Sequence, residues 1–235
     1  AASWASNGDV SAWPSGSAPL GAGALGQATT ISTAAVTQYF ALDVAVTNPA
    51  LYRQIELSFA ADDAAVVRIN GTEVSRTNLP FGTPSPSTPA YAERTTAPGS
   101  SVVRVPADVL VAGVNRVSVE IHQFRAADAD AFMNLTATAL ASNGDIQAPV
   151  LASVALSSVT RTAVGLTWPA ASDNQAIGYY LIRRNGAFLV VLRSNAVSYL
   201  DQQLSPSTTY SYEVIAVDTN GNASVPVGVN ATTGA

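Results

Sequence analysis

Cysteine is absent from this 235-residue chain, which excludes both a disulfide framework and a thiolate metal site. Lysine is absent as well: all 11 basic residues are arginine, with no cluster larger than the Arg183–Arg184 pair. A net charge of −5 leaves no basic footprint for nucleic acid. His122 is the single histidine, so a zinc centre built from several imidazoles is excluded. Charged residues make up 11% of the chain against 48% hydrophobic ones, a charge content well below the usual quarter of a soluble domain. No apolar run approaches the ~18 residues that a membrane-spanning helix needs. No glycine-flanked serine of the nucleophile-elbow type occurs either. Helical periodicity is scarce, and its best stretch, Pro106 to Gly113, predicts a turn or two between a starting proline and a closing glycine.

Alternation is common instead. Ile55, Leu57 and Phe59 share one strand face, as do Val117, Val119 and Ile121. Strand-like runs are punctuated by Asn-Gly pairs, prolines and Ser/Thr clusters, the rhythm of an all-β sandwich protein. Polar turn residues and a proline between Ala141 and Val150 divide two β-rich halves. The expected organisation is therefore two tandem β-sandwiches: a domain over 1–140, a linker over 141–149 and a second domain over 150–235. The longest irregular stretch, Pro80 to Ser100, holds Phe81 and Tyr91; a loop of that length is usually functional or mobile.

In the second half, "AVGLTW" ends in Trp168, a ring large enough to plug the space between two sheets. Asn185 and Gly186 supply a hairpin turn. In "LSPSTTYSYEVIAV" the proline shapes a corner, and Tyr210 can pack its ring while its hydroxyl bonds nearby backbone, the tyrosine-corner arrangement. With "LTWPAASDNQAIGYYLIRRNG" and "AVDTNGNAS", Ala148 to Thr233 resembles a fibronectin type III domain of bacterial extracellular polysaccharide-degrading enzymes. The resemblance implies an immunoglobulin-like sandwich acting as a spacer, a stabilising neighbour or a weak surface binder. Asp218, Asn220 and Asn222 look like part of a calcium loop but lack its bidentate glutamate, which favours an Asn-Gly turn.

In the first half, Asp62 and Asp63 stand next to each other in "LSFAADDAAVVRING". The pattern predicts strand, short turn and strand, then a tight turn at Asn70–Gly71, with both acids in the first turn. Adjacent strand residues point to opposite faces, so the two carboxylates are poorly placed to act as a catalytic pair across one bond. A cation site, with calcium the candidate and Asp62 and Asp63 as ligands, stays open beside the plain turn.

The fragments "SAWPSGSAPLGAG", "TQYFALDV", "DDAAVVRING", "NLPFG", "VPADVLVAGVNRVSVEIHQ" and "DAFMNLTATA" occur in order. Together they resemble a galactose-binding-domain-like jelly-roll module of secreted bacterial multidomain proteins, over about Ser3 to Leu140. Ala64, Arg68 and Ala41 depart from that pattern, where a glycine, an aromatic and an arginine are usual. Relatives of this kind either bind carbohydrate or brace a neighbouring domain.

The candidate ligand residues are Asp63, Arg76, Asn78, Phe81, Tyr91, His122 and Phe124: aromatic rings to stack on sugar C–H faces, polar groups to take its hydroxyls. Trp4 and Trp13 are further aromatics, with Trp13 expected in the core. The polar residues could instead tie the "SRTNLPFG" segment to strand ends through buried hydrogen bonds, and His122 could be a buried histidine bonded to a neighbouring turn. The resemblance implies a secreted, monomeric, non-catalytic module that meets polysaccharide or oligosaccharide without a cofactor, beside a catalytic domain elsewhere in the same protein. The competing expectation is a structural or adhesive module that contacts protein.

Overall fold

The computed structural model describes residues 3–23, 26–80, 82–94, 101–142 and 144–235. The chain forms two compact units, Ala1–Leu140 and Ala141–Ala235.

In the first unit the strands are β1 (Leu20–Ala22), β2 (Thr29–Thr30), β3 (Thr37–Val46), β4 (Tyr52–Asp62), β5 (Ala64–Ile69), β6 (Thr72–Thr77), β7 (Ser101–Pro106), β8 (Gly113–His122) and β9 (Ala131–Ala141). They build a five-stranded sheet in the order β2-β1-β9-β4-β7 and a four-stranded sheet in the order β3-β8-β5-β6. With the short β2 set aside, these orders are those of an eight-stranded jelly roll. Period-two burial explains the layering: Ala65, Val67 and Ile69 of β5 and Val117, Val119 and Ile121 of β8 are buried on one face. The helical expectation at Pro106 to Gly113 shrinks to a 3-10 turn at Ala107–Val109, because β7 extends through Pro106 and leaves room for nothing longer. Asn70 and Gly71 take φ of 51° and 80°, the left-handed pair that a tight β5–β6 turn requires.

One expectation is corrected. Asp62 and Asp63 do not sit in a hairpin turn, since β4 belongs to the five-stranded sheet and β5 to the four-stranded one. Asp62 is the last residue of β4 and Asp63 the corner at which the chain changes sheets, and both are fully buried. A strand corner between packed sheets lies inside the sandwich, where a hairpin tip would lie in water.

The second unit contains β10 (Ala155–Val159), β11 (Ala163–Thr167), β12 (Ile177–Arg184), β13 (Ala187–Arg193), β14 (Ser198–Gln202), β15 (Thr209–Asp218) and β16 (Val227–Thr232). Three strands (β10-β11-β14) face four (β13-β12-β15-β16), an immunoglobulin-like sandwich. Trp168 fills its core with Leu166, Tyr180, Ile182, Tyr212 and Val214, and its indole N–H donates to Ala196 O at 3.0 Å. The tyrosine corner forms as expected: the Tyr210 hydroxyl accepts the Ser205 N–H at 3.0 Å. Asn185 and Gly186 adopt φ of 52° and 75° at the β12–β13 turn. Asp218 Oδ1 accepts the N–H groups of Asn220 and Asn222 at 2.7 and 2.9 Å, so that segment is a carboxylate-pinned turn.

Candidate binding site

Asp63 organises one end of the first unit. Its Oδ2 accepts the Phe124 N–H at 2.7 Å, just past the end of β8, and its Oδ1 accepts the Arg94 N–H. Its backbone oxygen accepts from Asn78 Nδ2 at 3.1 Å, and the same amide donates to Ala92 O at 2.7 Å. Asn78 O in turn accepts the Tyr91 N–H at 2.9 Å. Asp63, Asn78, Tyr91 and Phe124 are thus brought together, with Tyr91 48% and Phe124 39% exposed. Two half-exposed rings stand on a buried polar hub.

Arg76 and His122 serve the same segment from beneath. Arg76 forks onto Glu73 at 2.7 and 2.6 Å and donates to Pro80 O and Gly82 O at 2.5 and 3.0 Å. His122 is fully buried; its Nδ1 lies 2.8 Å from Thr88 O and 2.9 Å from Thr37 Oγ1. The carbonyl can only accept, so Nδ1 carries the proton toward Thr88. All these bonds tie residues 78–94 to the sheet, which is what buried polar groups without water must do. Phe81 lies outside the described residues. Trp13, expected in the core, is instead 37% exposed, because it belongs to the N-terminal segment that Arg116 holds on the outer face of the four-stranded sheet.

Asp62 differs from its neighbour. Neither of its oxygens meets a hydrogen-bond donor among the described residues, although the residue is fully buried. Burial, hydrogen bonding with the Asp63 carboxyl, and the negative charges of Asp63, Asp130 and Asp128 push it up to about 8. It is a protonated acid near neutral pH, able to donate to Asp63. Both Asp63 oxygens are already engaged by backbone N–H groups, which weighs against their serving calcium, an ion that prefers six to eight oxygens. Among the described residues, the acidic group whose oxygens approach within 4.8 Å of one another is Asp145, Asp173 and Asp218 in the second unit. There Asp218 is already bonded to its own turn.

A charged network that sequence reasoning missed lies on the outer face of the four-stranded sheet. Arg68 NH1 is 2.7 Å from Glu120 Oε1, and its NH2 is 3.8 Å from Glu73. His122 Nε2 is 3.8 Å from Glu120 Oε2. Burial alone would raise Glu120, but the neighbouring His122 and the Arg68 guanidinium outweigh it and hold Glu120 below its ordinary value. The signal was present as Arg68 and Glu120, two charges placed within otherwise apolar strands.

No family model matches the chain. Over 81 residues it is 41% identical to an alpha-amylase of Niallia circulans, covering 34% of this chain and 6% of that protein. It is 36% identical to exoglucanase B of Cellulomonas fimi over 96 residues, covering 39% and 8%. It is also 38% identical to chitinase C of Streptomyces lividans over 81 residues, covering 33% and 13%. Among solved structures, a fibronectin type III domain of human fibronectin type III domain containing protein 3 is similar at 22% identity and TM-score 0.31, covering 39% of this chain and 92% of that one. The fibronectin(III)-like modules of Clostridium thermocellum CbhA give 18% and 0.30, covering 34% and 96%. The chain thus spans a small part of these curated relatives, over stretches about one domain long.

Proposed function

We propose that this chain is a non-catalytic accessory region of a secreted bacterial polysaccharide-degrading enzyme. The first unit is a galactose-binding-like jelly roll that holds carbohydrate, and the second is a fibronectin type III spacer leading toward a catalytic domain. The observation that carries this reading is the pair of half-exposed rings, Tyr91 and Phe124, held over the Asp63 hub. Rings fixed at a loop cluster on a rigid sandwich suit sugar C–H faces. The partial matches to an amylase, a glucanase and a chitinase supply the context.

The hub residues hydrogen-bond to backbone, which makes their role positional. On this reading the bound chain is gripped and left intact. Affinity gels and pull-downs with a range of polysaccharides test the proposal. Retardation that Tyr91→Ala or Phe124→Ala abolishes is the expected result; migration unaffected by every glycan would turn the assignment toward a bracing or adhesive module.

A further inference from the structure

Seven consecutive residues in the stretch between β6 and β7, "TPSPSTP" from Thr83 to Pro89, are all serine, threonine or proline. The run lies within the first unit, and buried Leu79 and Ala90 stand on either side of it. Its backbone is fixed from beneath. Pro86 O accepts the hydroxyl of buried Thr37 at 2.8 Å, and Thr88 O accepts the His122 Nδ1 proton at 2.8 Å. The Thr88 N–H donates to Ser85 O at 3.0 Å and closes a turn with Pro86 and Ser87 at its centre. The single histidine of the chain is thus spent on holding a segment with no large apolar side chain of its own.

The four hydroxyls of the run differ. Thr88 is half-buried, and its Oγ1 accepts the Ser85 N–H at 2.9 Å. Ser85 Oγ lies 3.0 Å from Thr88 Oγ1 and 3.1 Å from Ser87 Oγ, inside the turn. These two hydroxyls shape the loop. Thr83 and Ser87 are exposed, one ahead of the turn and one at its tip. Each adjoins a proline, which supplies no N–H to compete for the hydroxyl. Pro84 also keeps Thr83 extended, the shape in which a chain enters another protein's cleft without unfolding. Strand hydroxyls are otherwise placed: Thr209 and Thr232 bond to each other at 2.9 Å across paired strands.

We propose that Thr83 and Ser87 are O-glycosylation sites, each taking a hexose from a membrane-bound protein glycosyltransferase as the chain is exported. Serine- and threonine-rich runs with proline are the composition that such modification uses. In the transfer the hydroxyl oxygen attacks the anomeric carbon of a hexose carried on a polyprenyl phosphate. The bond from that carbon to the phosphate oxygen breaks, the phosphate leaves with the electron pair, and the hydroxyl proton passes to a base of the transferase. The assignment rests on the secreted reading above and not on sugar binding at the loop end. The anchoring bonds run through the carbonyls of Pro86 and Thr88, so hexoses on Thr83 and Ser87 leave them in place.

The test exports the whole chain from a bacterial host that O-glycosylates a Pro-Thr stalk produced alongside it as the positive control. Intact mass counts the hexoses, and peptide fragmentation that keeps the sugar attached locates them. Hexoses should map to Thr83 and Ser87, be lacking from chain made in the cytoplasm, and leave the melting temperature unchanged. Thr83→Val and Ser87→Ala should each lose the hexose of that position and keep the other. Mapping on the parent chain carries the assignment should either variant fold poorly. An unmodified chain beside a modified stalk overturns the proposal, as do hexoses confined to other residues or phosphate in place of hexose; each leaves the carbohydrate-binding reading standing. A chain that the host cannot export with a leader attached overturns the secreted reading and this assignment with it.

Discussion

Phe124 donates its backbone N–H to Asp63 Oδ2 at 2.7 Å, so a residue just past β8 is fastened to the corner where the chain leaves β4 for β5. The other oxygen of the same carboxylate holds the Arg94 N–H. Replacing Asp63 by alanine strands two N–H groups at a buried position. Hydrogen bonds to a charged acceptor contribute about 1.5–3 kcal/mol each, so Asp63→Ala is expected to lower first-unit stability by about 3–6 kcal/mol in urea titration. Asp63→Asn, which keeps one acceptor, should lose roughly half of that. Equal stability in all three proteins would remove Asp63 as an organising residue.

Asp62 makes the first unit sensitive to pH. Its value of about 8 comes first from burial and then from Asp63, with Asp130 and Asp128 adding to it; the Arg94 guanidinium, bonded to Ala61 O at 3.2 Å, is the nearby cation. An unfolded aspartate titrates near ~3.9. Between these values the native protein holds a proton that the unfolded chain has released, so the contribution is fully present below about pH 4 and is lost as pH rises through about 8. Asp62→Asn cannot ionise and should gain in relative melting temperature as pH rises from about 5 to 9. Parallel melting curves for parent and variant across that range would assign the slope elsewhere.

Arg116 is the staple of the N-terminal segment. It forks onto Asp43 at 2.6 and 2.7 Å and donates to two carbonyls of that segment. Arg116→Ala is expected to release the stretch carrying Trp4 and Trp13, red-shift tryptophan emission and expose residues near Gly8 to limited proteolysis. The cost in global stability should be about 2–3 kcal/mol, because the arginine is buried and bonds to charged and neutral acceptors together. Unchanged emission and an unchanged digestion pattern would show the segment to be held by other contacts.

In the second unit, Asp201 receives the Tyr212 hydroxyl at 2.7 Å and Arg184 NH1 at 2.8 Å, with its own side chain fully buried. Asp201→Ala removes the buried acceptor shared by Tyr212 and Arg184 and should destabilise this unit by about 3–5 kcal/mol, whereas Tyr212→Phe should cost only about 1 kcal/mol. Burial, followed by the hydrogen bond to Asp201 and its charge, also drives the Tyr212 phenol far above its ordinary value, and burial pushes Tyr199 up to about 12. Ultraviolet titration should therefore find these two tyrosines silent while exposed ones ionise. A full complement of eight phenolates formed by about pH 11, with the fold intact, would contradict the buried triad.

The second unit was easily legible because its signals are local. Trp168, Asn185–Gly186 and Tyr210 each announce a core plug, a turn or a corner within a few residues, and each does that job. The Asp62–Asp63 corner was misread for a specific reason. Alternation marks two successive strands but does not say whether they pair or belong to opposite sheets. Trp4, Trp13 and Tyr39 meet where Arg116 and Ser118, more than a hundred residues along the chain from Trp4, hold the N-terminal segment, and no local pattern carries that information.

In the first unit's five-stranded sheet, β9 stands between β1 and β4, with Leu20 opposite Met133. The sheet therefore cannot close until the last strand of the unit exists, and β1, apart from its short pairing with β2, waits for a partner more than a hundred residues downstream. Contacts so distant along the chain make folding slow. During synthesis, nearly the whole unit must emerge before its five-stranded layer is complete. Its apolar strands stay open to solvent or to a chaperone for that interval, while the second unit, with most of its pairings between near neighbours in sequence, can close soon after its own strands appear.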